Sequence, residues 1–333
     1  MTPAIPVLFV LPQHVLMLDL AGLAEVLRVA SQLEGATVTA PPRFSLSYAA
    51  PVAQVHTSIG LPLQGMAPLP DSLEPGTMIV LVGVAGTSDP ALQRDIDDSC
   101  AAIATWLRRV FDSRAHQLLC VCSGALIAAR AGLLENRRCT THHALCASLQ
   151  QLAPRALVLE NRLYVADGAI VTSAGITAGI DMMLHVLGER AGPRVAAAVA
   201  RKMVVYMRRA GADPQLSAWT SGRNHLHPGL HRVQDAIAAD PTRDWSADEM
   251  ARLACSSTRH LGRLFQEYTA GSPLDHVHKL RVALARDLII QSSLDMESVA
   301  RQAGFGSARH LRRIWSKYHA TPPSDERRAA MGQ

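Results

Sequence analysis

Over residues 1–190, short uninterrupted apolar runs alternate with longer stretches in which apolar residues recur every three or four positions. The uninterrupted runs predict strands that are covered on both faces of a sheet, and the periodic stretches predict helices packed on that sheet. The predicted strands are Val7–Leu11, Phe44–Ala50, Met78–Val82, Gln117–Val121 and a hairpin of Leu163–Ala166 with Ile170–Thr172. The predicted helices are Asp19–Leu33, Pro90–Phe111, Ser123–Ala131 and Thr177–Glu189. Such alternation is typical of an α/β domain.

The pattern changes after residue 192, where the strand signals end. Gly192–Ala210 has helical periodicity, and 211–229 is rich in residues that favour turns. From residue 230 onward only helical periods follow. We therefore expect an α/β domain over 1–192, a connecting helix and linker over 193–229, and an all-α domain over 230–328. Within the first domain, the Pro- and Gly-rich stretch Ile59–Pro75 predicts a loop with little regular structure.

One pattern occurs twice in the helical part of the chain: residues 259–265 read RHLGRLF, and residues 309–315 read RHLRRIW. Each copy predicts a helix, over 258–268 and over 307–318, whose apolar residues share one face. A shorter predicted helix and a tight turn precede each copy, and Ser257 and Ser307 are suitable N-caps for the second helices. A short helix, a turn and a second helix form a helix-turn-helix unit, so the chain is predicted to contain two of them.

The outer faces of both repeated helices are basic. They carry Arg259, His260 and Arg263 in the first copy, and Arg309, His310, Arg312, Arg313 and Lys317 in the second. Residues 251–333 contain 13 Lys and Arg against 7 Asp and Glu, a net charge of +6, whereas the whole chain carries +5. Basic faces on paired units predict a clamp on two successive turns of the major groove of double-stranded DNA. The alternative is a helical bundle with solvated basic faces, and the repetition of the same charges on the same face favours the clamp.

These helices resemble the DNA-binding domain of the AraC/XylS family over residues 245–328. The matching motifs are Trp245-Ser246 at the start of the first unit, Gly271-Ser272-Pro273 after its second helix, Ala303-Gly304-Phe305-Gly306-Ser307 in the second turn, and Pro322-Pro323 near the end. The sequence departs from the family pattern at three positions. Cys255 stands at a turn position usually held by Gly, Gly262 stands where a base-reading side chain is common, and His319 stands where Gly is usual. These departures concern the DNA sequence that the first unit prefers, and they do not affect the predicted fold.

A second group of residues surrounds the end of the fourth predicted strand, where Cys122 is followed at once by a helix. A side chain at such a bend stands beside a helix N-terminus, which lowers a thiol pKa and offers backbone N–H donors. Four further segments belong to this pattern: Leu18-Asp19-Leu20-Ala21-Gly22, Thr140-Thr141-His142-His143, Thr172-Ser173-Ala174-Gly175 and Thr177-Ala178-Gly179-Ile180-Asp181. Together with the Cys122 bend they resemble the PfpI-type, glutamine-amidotransferase-like α/β domain, a flavodoxin-like fold, over residues 5–190. The resemblance implies a carboxylate facing the cysteine, a histidine in a Thr-Thr-His run, and a Gly-containing turn with oxyanion donors. These positions are matched by Asp19, His142 and Gly83, and Ser123 beside the cysteine is a further candidate ligand contact.

Both domains, in this order, resemble the GlxA-type transcriptional regulators. The resemblance implies a sequence-specific DNA-binding regulator of the AraC family. It also implies an activator, controlled by a small metabolite bound around Asp19, Gly83, Cys122, Ser123 and His142. The expected partners are promoter DNA, the effector, a second copy of the chain and RNA polymerase. No enzyme activity is expected; the alternatives for Cys122 are the nucleophile of a hydrolase or hydratase and a thiol redox sensor.

Composition adds expectations about metals and compartment. The six cysteines show no zinc-type spacing, so neither a metal nor a cofactor is expected, and scattered free thiols fit a reducing cytosol. The apolar start lacks a basic leader and is interrupted at Pro12, and no apolar run is long enough to span a membrane. We therefore expect a cytoplasmic protein. Two neighbouring residues receive a structural interpretation: His143 is expected on a helix surface, and Asp181 is expected to cap or pair within the last helix of the first domain.

Overall fold

The computed structural model describes residues 4–33, 44–205, 209–212, 215, 222, 225–319 and 321–331, and the statements below concern these residues. The chain divides into two units, Met1–Gln215 and Leu216–Gln333. Among the described helices, none combines the length and the apolar character that a membrane crossing requires.

The first unit is an α/β fold with one main sheet. Its strands are β1 (Ile5–Val10), β2 (Phe44–Ala49), β3 (Gln54–His56), β4 (Pro62–Gln64), β5 (Met78–Leu81), β6 (Gln117–Val121), β7 (Arg138–Cys139), β8 (Leu157–Val158), β9 (Tyr164–Asp167) and β10 (Ile170–Ser173). Its helices are α1 (Met17–Ser31), α2 (Pro90–Val110), α3 (Gly124–Arg130), α4 (Cys146–Leu152), α5 (Thr177–Ala191) and α6 (Pro193–Lys202). The main sheet has the order β2-β1-β5-β6-β10-β9, and its strands are parallel except for the antiparallel edge strand β9. The expected flavodoxin-like α/β class is confirmed.

Helices cover both faces of this sheet, because successive side chains of a buried strand point to opposite faces. Val7 and Phe9 of β1 lie in a core with α1, α5 and α6, whereas Leu8 and Val10 lie in a second core with α2 and α3. The carboxyl ends of parallel strands meet at one edge of a sheet, and ligands commonly bind there. In this fold the loops after β1, β5, β6 and β10 therefore converge at that edge.

Two expectations for the first unit need correction. The predicted loop Ile59–Pro75 contains β4, which pairs with β3 in a short antiparallel ladder. The predicted connecting helix Gly192–Ala210 ends at Lys202, and its Val195 and Val199 lie in the core of the first unit. This helix is therefore part of the first unit rather than a connector, because its apolar face is already buried there. Part of the linker predicted over 211–229 lies outside the described residues.

The second unit is all-α among its described residues. Its helices are α7 (Pro228–Ala239), α8 (Ala247–Leu253), α9 (Thr258–Thr269), α10 (Pro273–Gln291), α11 (Met296–Gln302), α12 (Ala308–Trp315) and α13 (Pro323–Met331). Helices α8 and α9 form the first helix-turn-helix unit, and α11 and α12 form the second. The second helix of each unit, α9 or α12, is its recognition helix. Ser257 and Ser307 cap α9 and α12 by accepting hydrogen bonds from the N–H groups of His260 and His310. The second recognition helix is shorter than expected, since α12 ends at Trp315 rather than at residue 318.

The long helix α10 contributes to both helix-turn-helix cores. Val277 and Leu280 pack with the inner face of α9, and Val282 and Ala285 pack with the inner face of α12. Both recognition helices thus rest on one continuous helix.

Candidate functional site

The bend between β6 and α3 carries Cys122, whose backbone has φ = 53°, in a region that residues other than glycine rarely occupy. Two backbone hydrogen bonds hold it there. The Cys122 N–H donates to the Ser173 carbonyl at 3.0 Å, and the Cys122 carbonyl accepts from the Ala125 N–H at 3.3 Å. The residue is only 6% exposed, so the bend holds its thiol inside the fold.

Glycines surround this bend because a side chain would not fit. A Cβ at Gly175 would stand 2.4 Å from the Cβ of Cys122, and a Cβ at Gly124 would stand 2.4 Å from the Leu81 carbonyl oxygen. A Cβ at Gly83 would stand 2.8 Å from Asp19 Oδ2 and 2.9 Å from the Cβ of Cys122. The structure therefore brings Asp19, Gly83 and Cys122 together at the carboxyl edge of the sheet.

Asp19 is fully buried in the first turn of α1. Its Oδ1 accepts a hydrogen bond from the Ile176 N–H at 2.6 Å, whereas Oδ2 has no hydrogen-bond partner among the described residues. Burial raises the pKa of this carboxyl to about 6, although the N–H groups of Ile176 and Gly83 act in the opposite direction. Ile176 has φ = 50°, which is strained for a β-branched residue, and the bond to Asp19 helps to hold it. A buried carboxyl with one unused oxygen is suited to a hydrogen bond with a ligand.

The thiol of Cys122 is held in its protonated form. Burial raises the pKa of this thiol to about 12, the negative charge of Asp19 acts in the same direction, and the Ser123 N–H opposes them. The Ser123 N–H at the helix N-terminus lowers this pKa, as the sequence predicts, but desolvation outweighs this single backbone donor. The thiolate is the nucleophilic form of cysteine, so these surroundings suit ligand binding better than covalent catalysis.

Ser123 joins the loop after β5 to the bend. Its Oγ accepts a hydrogen bond from the Val84 N–H at 2.7 Å. An oxyanion hole requires N–H donors that are free to point at a reacting oxygen. In the Gly83–Gly86 turn the N–H of Val84 is already engaged by Ser123, so it cannot serve as an oxyanion donor in this arrangement.

The Thr140–His143 run lies beside the same bend. Thr141 Oγ1 donates to the Cys122 carbonyl at 2.8 Å. The half-buried His142 uses Nδ1 to accept from the Ala144 N–H at 3.4 Å, and burial lowers the pKa of its imidazole. Among the described residues, no hydrogen bond joins this imidazole to Cys122. His142 thus lies on a segment tied to the site, without the thiol–imidazole contact that activates a nucleophile. His143 is exposed on the surface, where it was expected.

Three further residues lie near this site, and the sequence analysis did not assign any of them to it. Ser173 Oγ, on the strand that binds the Cys122 N–H, is buried without a hydrogen-bond partner among the described residues. The carboxylate of Asp181, which was expected to cap or pair within α5, binds the guanidinium of Arg209, which lies beyond α6, at 2.7 Å. Gln215, near the end of the first unit, donates to the Thr141 carbonyl at 2.8 Å. Gln215 carries no motif, so the sequence offered no signal for it.

Two surface depressions lie away from this site. One of about 560 Å³ is lined by Leu69 and Trp106 among others. The other, of about 390 Å³, is lined by Phe111 and Arg137 among others. Neither includes Asp19, Cys122 or His142, so their size says nothing about the chemistry at the bend. The candidate ligand site is marked by its buried polar atoms rather than by these depressions.

The outer faces of the recognition helices present basic side chains to solvent. Arg259, Arg309, Arg312, Arg313 and Lys317 are exposed, and within the described part of the chain their charged groups have no hydrogen-bond or ion-pair partner. Arg263 is also exposed and lies 3.1 Å from His260 Nδ1. His310 differs, because it is half-buried with its ring edge-on to Phe305 at a centroid distance of 5.4 Å.

Comparison with known proteins agrees with both units. Residues 7–189 match the model of the DJ-1/PfpI family, and residues 250–329 match a helix-turn-helix domain model. The chain is 31% identical over 319 residues to the HTH-type transcriptional regulator GbdR of Pseudomonas aeruginosa, a match that covers 96% of this chain and 83% of that protein. It is 33% identical over 211 residues to the HTH-type transcriptional regulator GlxA of Rhizobium meliloti, covering 62% and 64% of the two chains. A shorter match, 40% identical over 80 residues and covering 24% and 34%, is to the isonitrile hydratase of Pseudomonas putida.

The fold and these matches define a class of protein: a DJ-1/PfpI-type α/β domain followed by an AraC-type helix-turn-helix domain. The chain belongs to the DJ-1/PfpI family and is a DNA-binding, HTH-type transcriptional regulator with a PfpI-like ligand-binding domain. The resemblance to AraC-family and GlxA-type regulators drawn from the sequence is thereby confirmed.

Proposed function

We propose that this regulator reads its operator with the outer faces of α9 and α12, placed in adjacent segments of the DNA major groove. The residues assigned to DNA are Arg259, His260, Arg263, Arg309, His310, Arg312, Arg313 and Lys317. The observation that carries the proposal is the exposed guanidinium groups that have no partner among the described residues. A guanidinium offers five donors and no acceptor, which suits guanine O6 and N7 or phosphate oxygens. Internal ion pairs would have reduced this capacity.

The first unit is proposed to bind a small metabolite at the Cys122 bend, in contact with Asp19, Gly83, Cys122, Ser123 and His142. Asp19 Oδ2 and Ser173 Oγ support this, because both are buried without a partner among the described residues. Such atoms are costly unless a ligand or water satisfies them. The metabolite alters DNA affinity by favouring one conformational state. In this proposal the protein is a cytoplasmic homodimer that activates transcription and contacts RNA polymerase.

The test is selection of genomic DNA fragments by the purified full-length protein, followed by binding of the best fragment over a range of salt concentrations. We expect a discrete set of promoters and a steep fall in affinity with salt, since each phosphate contact releases counterions. Weak binding without sequence preference would contradict the proposal.

The second candidate is a cysteine-dependent hydratase, which the 80-residue match to isonitrile hydratase and the nearness of Asp19 to Cys122 favour. We propose that Cys122 is not catalytic, because its thiol is buried and protonated at neutral pH. The expected result is no turnover of an isonitrile by the wild-type protein. Turnover that is lost in Cys122→Ser would establish the enzyme instead.

A redox role for Cys122 can be tested on the same operator. Mild peroxide is expected to leave operator affinity unchanged, because a buried thiol with a raised pKa oxidises slowly. Peroxide-dependent loss of binding that is absent in Cys122→Ser would favour the thiol sensor.

A further inference from the structure

The last residues of the first unit are bound by hydrogen bonds and an ion pair to segments on both sides of the Cys122 site. We name the described residues 209–212 and 215 the clasp. At its start, Arg209 binds the buried carboxylate of Asp181 at 2.7 Å and donates to Thr177 Oγ1 at 2.8 Å. Thr177 directly follows Ile176, whose N–H is bound by Asp19. Thr177, which holds the start of the clasp, is therefore the neighbour in sequence of Ile176, which bonds to Asp19 at the site.

At its end, the clasp is tied to the opposite side of the site by the Gln215 amide. Nε2 donates to the carbonyls of Thr141 and Arg162 at 2.8 and 2.9 Å, and Oε1 accepts from the His143 N–H at 2.8 Å. Both N–H donors and the oxygen of this amide are thus engaged. Thr141 in turn donates to the Cys122 carbonyl, so a single residue separates Gln215 from the bend.

The middle of the clasp runs against the backbone that precedes β9. The Gly211 carbonyl accepts from the N–H groups of Leu163 and Tyr164 at 3.1 and 3.4 Å. A Cβ at Gly211 would stand 2.6 Å from the Tyr164 carbonyl oxygen, so only glycine permits this approach. Arg162 also donates to the Ala212 carbonyl. The clasp is anchored at its start, middle and end, and the residue after it, Leu216, begins the second unit.

We propose that the clasp couples the Cys122 site to the DNA-binding unit, with Gln215 as the positioning residue. This inference rests on the proposed function of the two units. A ligand that moves Thr141 or His142 changes the bonds of Gln215, and so changes how the chain leaves the first unit. Coupling between two sites is reciprocal, so DNA bound to the second unit must act back on the Thr141–His143 segment. The proposal can therefore be tested from the DNA side, with operator DNA as the probe.

The experiment is hydrogen–deuterium exchange of the full-length protein, free and saturated with the operator duplex that genomic selection identifies. The readout is the His143 amide, because its hydrogen bond is to the Gln215 side chain. In the wild-type protein we expect operator binding to change its exchange rate about fivefold or more, the lower end of typical coupling between sites. In Gln215→Ala this amide should exchange faster in the free protein and should not respond to DNA. Gln215→Glu keeps the acceptor for His143 but loses both donors, so it should restore part of the protection without the response.

Gln150→Ala is the matched control. Gln150 Nε2 also donates to backbone carbonyls of the first unit, those of Ala153, Pro154 and Ala156, and among the described residues it has no hydrogen bond to the clasp. This variant should keep the wild-type response at His143. Operator binding with no change at His143 in the wild-type protein would overturn the coupling and leave the proposed function intact, and so would loss of the response in Gln150→Ala. Absence of sequence-specific DNA binding would remove the proposed function and the coupling together.

Discussion

The two helix-turn-helix units build the same turn from different residues. In each turn one N–H bonds the carbonyl three residues back, and the next N–H bonds the carbonyl five residues back. The first of these positions is Cys255 in one unit and Gly304 in the other, with φ of 53° and 79°. Glycine adopts this backbone freely, whereas a residue with a Cβ is strained there by roughly 1 kcal/mol. The position in the motif sets the turn conformation, and the residue type sets only the free energy of strain in that conformation.

In the recognition helices, unlike the turns, the glycine is in the first unit rather than the second. Aligned on the N-caps Ser257 and Ser307, Gly262 takes the place of Arg312. Helix α12 therefore presents three exposed arginines, whereas α9 presents Arg259 and an Arg263 that lies against His260. Helix α9 is also longer, with 12 residues against 8. We infer that the second unit contributes more to DNA affinity than the first. We also infer that the turn of the first unit is less stable than the turn of the second.

The largest expected effect is on operator affinity. Replacing Arg309 and Arg313 together by Ala should weaken binding by about 1–3 kcal/mol for each of the two arginines that binds a base edge. The equivalent pair, Arg259→Ala with Arg263→Ala, should cost less, because Arg263 already has a neighbour in the protein. The measurement is operator affinity at fixed salt.

The control for charge alone is Arg108→Ala with Arg114→Ala, two exposed arginines of the first unit. This variant removes the same charge away from the recognition helices and should bind nearly as the wild type. Equal decreases in affinity from the two recognition-helix pairs would break the comparison between the units.

The two turns should respond in opposite directions to substitution. Gly304→Ala should lower the free energy of unfolding by about 1–3 kcal/mol, the range for overpacking, since its Cβ would stand 2.7 Å from Thr242 Cα. Cys255→Gly should raise it by up to about 1 kcal/mol by relieving the left-handed strain. Urea denaturation of the full-length protein measures both. A stabilising Gly304→Ala would show that the second turn does not need glycine.

Gly262 allows a smaller and separable test. A Cβ at this position meets nothing within 4 Å, so Gly262→Ala should stabilise the first unit by about 1 kcal/mol through helix propensity alone. Gly262→Arg should give a similar gain in stability and also raise operator affinity, because it restores the cation found at Arg312. If Gly262→Arg stabilises the protein but weakens binding, the missing side chain is part of how the first unit discriminates among sequences.

The smallest effect concerns pH. Burial is the main cause that lowers the pKa of His278, His310 and His319, which lie on or beside the second helix-turn-helix unit. Below the ordinary histidine pKa of about 6.5, the unfolded chain therefore binds more protons than the folded unit. Stability then falls as pH falls through this range. Amide exchange should show α11 and α12 opening more readily at pH 5.5 than at pH 7.5, and equal opening at the two pH values would contradict this.

Periodicity was enough to predict the parallel sheet and both helix-turn-helix units, because apolar stripes and N-caps such as Ser257 and Ser307 are local features. The strained turn at Cys255 was also visible, since the motif itself marks the position. The protonation of Cys122 could not be predicted from the sequence, because its pKa depends on burial and on a carboxylate that lies 103 positions earlier in the chain. The proposed positioning role of Gln215 could not be predicted for a similar reason. It is an ordinary polar residue, and the role depends only on the three backbone groups to which it bonds.

Helix α10 has a consequence for the architecture of the operator. Its 19 residues extend about 28 Å at 1.5 Å per residue, a length comparable to the roughly 34 Å of one turn of B-DNA. Both recognition helices pack on this helix of fixed length. If they bind DNA as proposed, the two DNA segments that they contact keep a fixed phase. Inserting about 5 base pairs between those segments would rotate one of them to the far side of the duplex and should abolish simultaneous contact, whereas the same insertion outside them should be harmless. On the proposed mode of binding, the protein would therefore select promoters by the spacing of two DNA segments as well as by their base sequence.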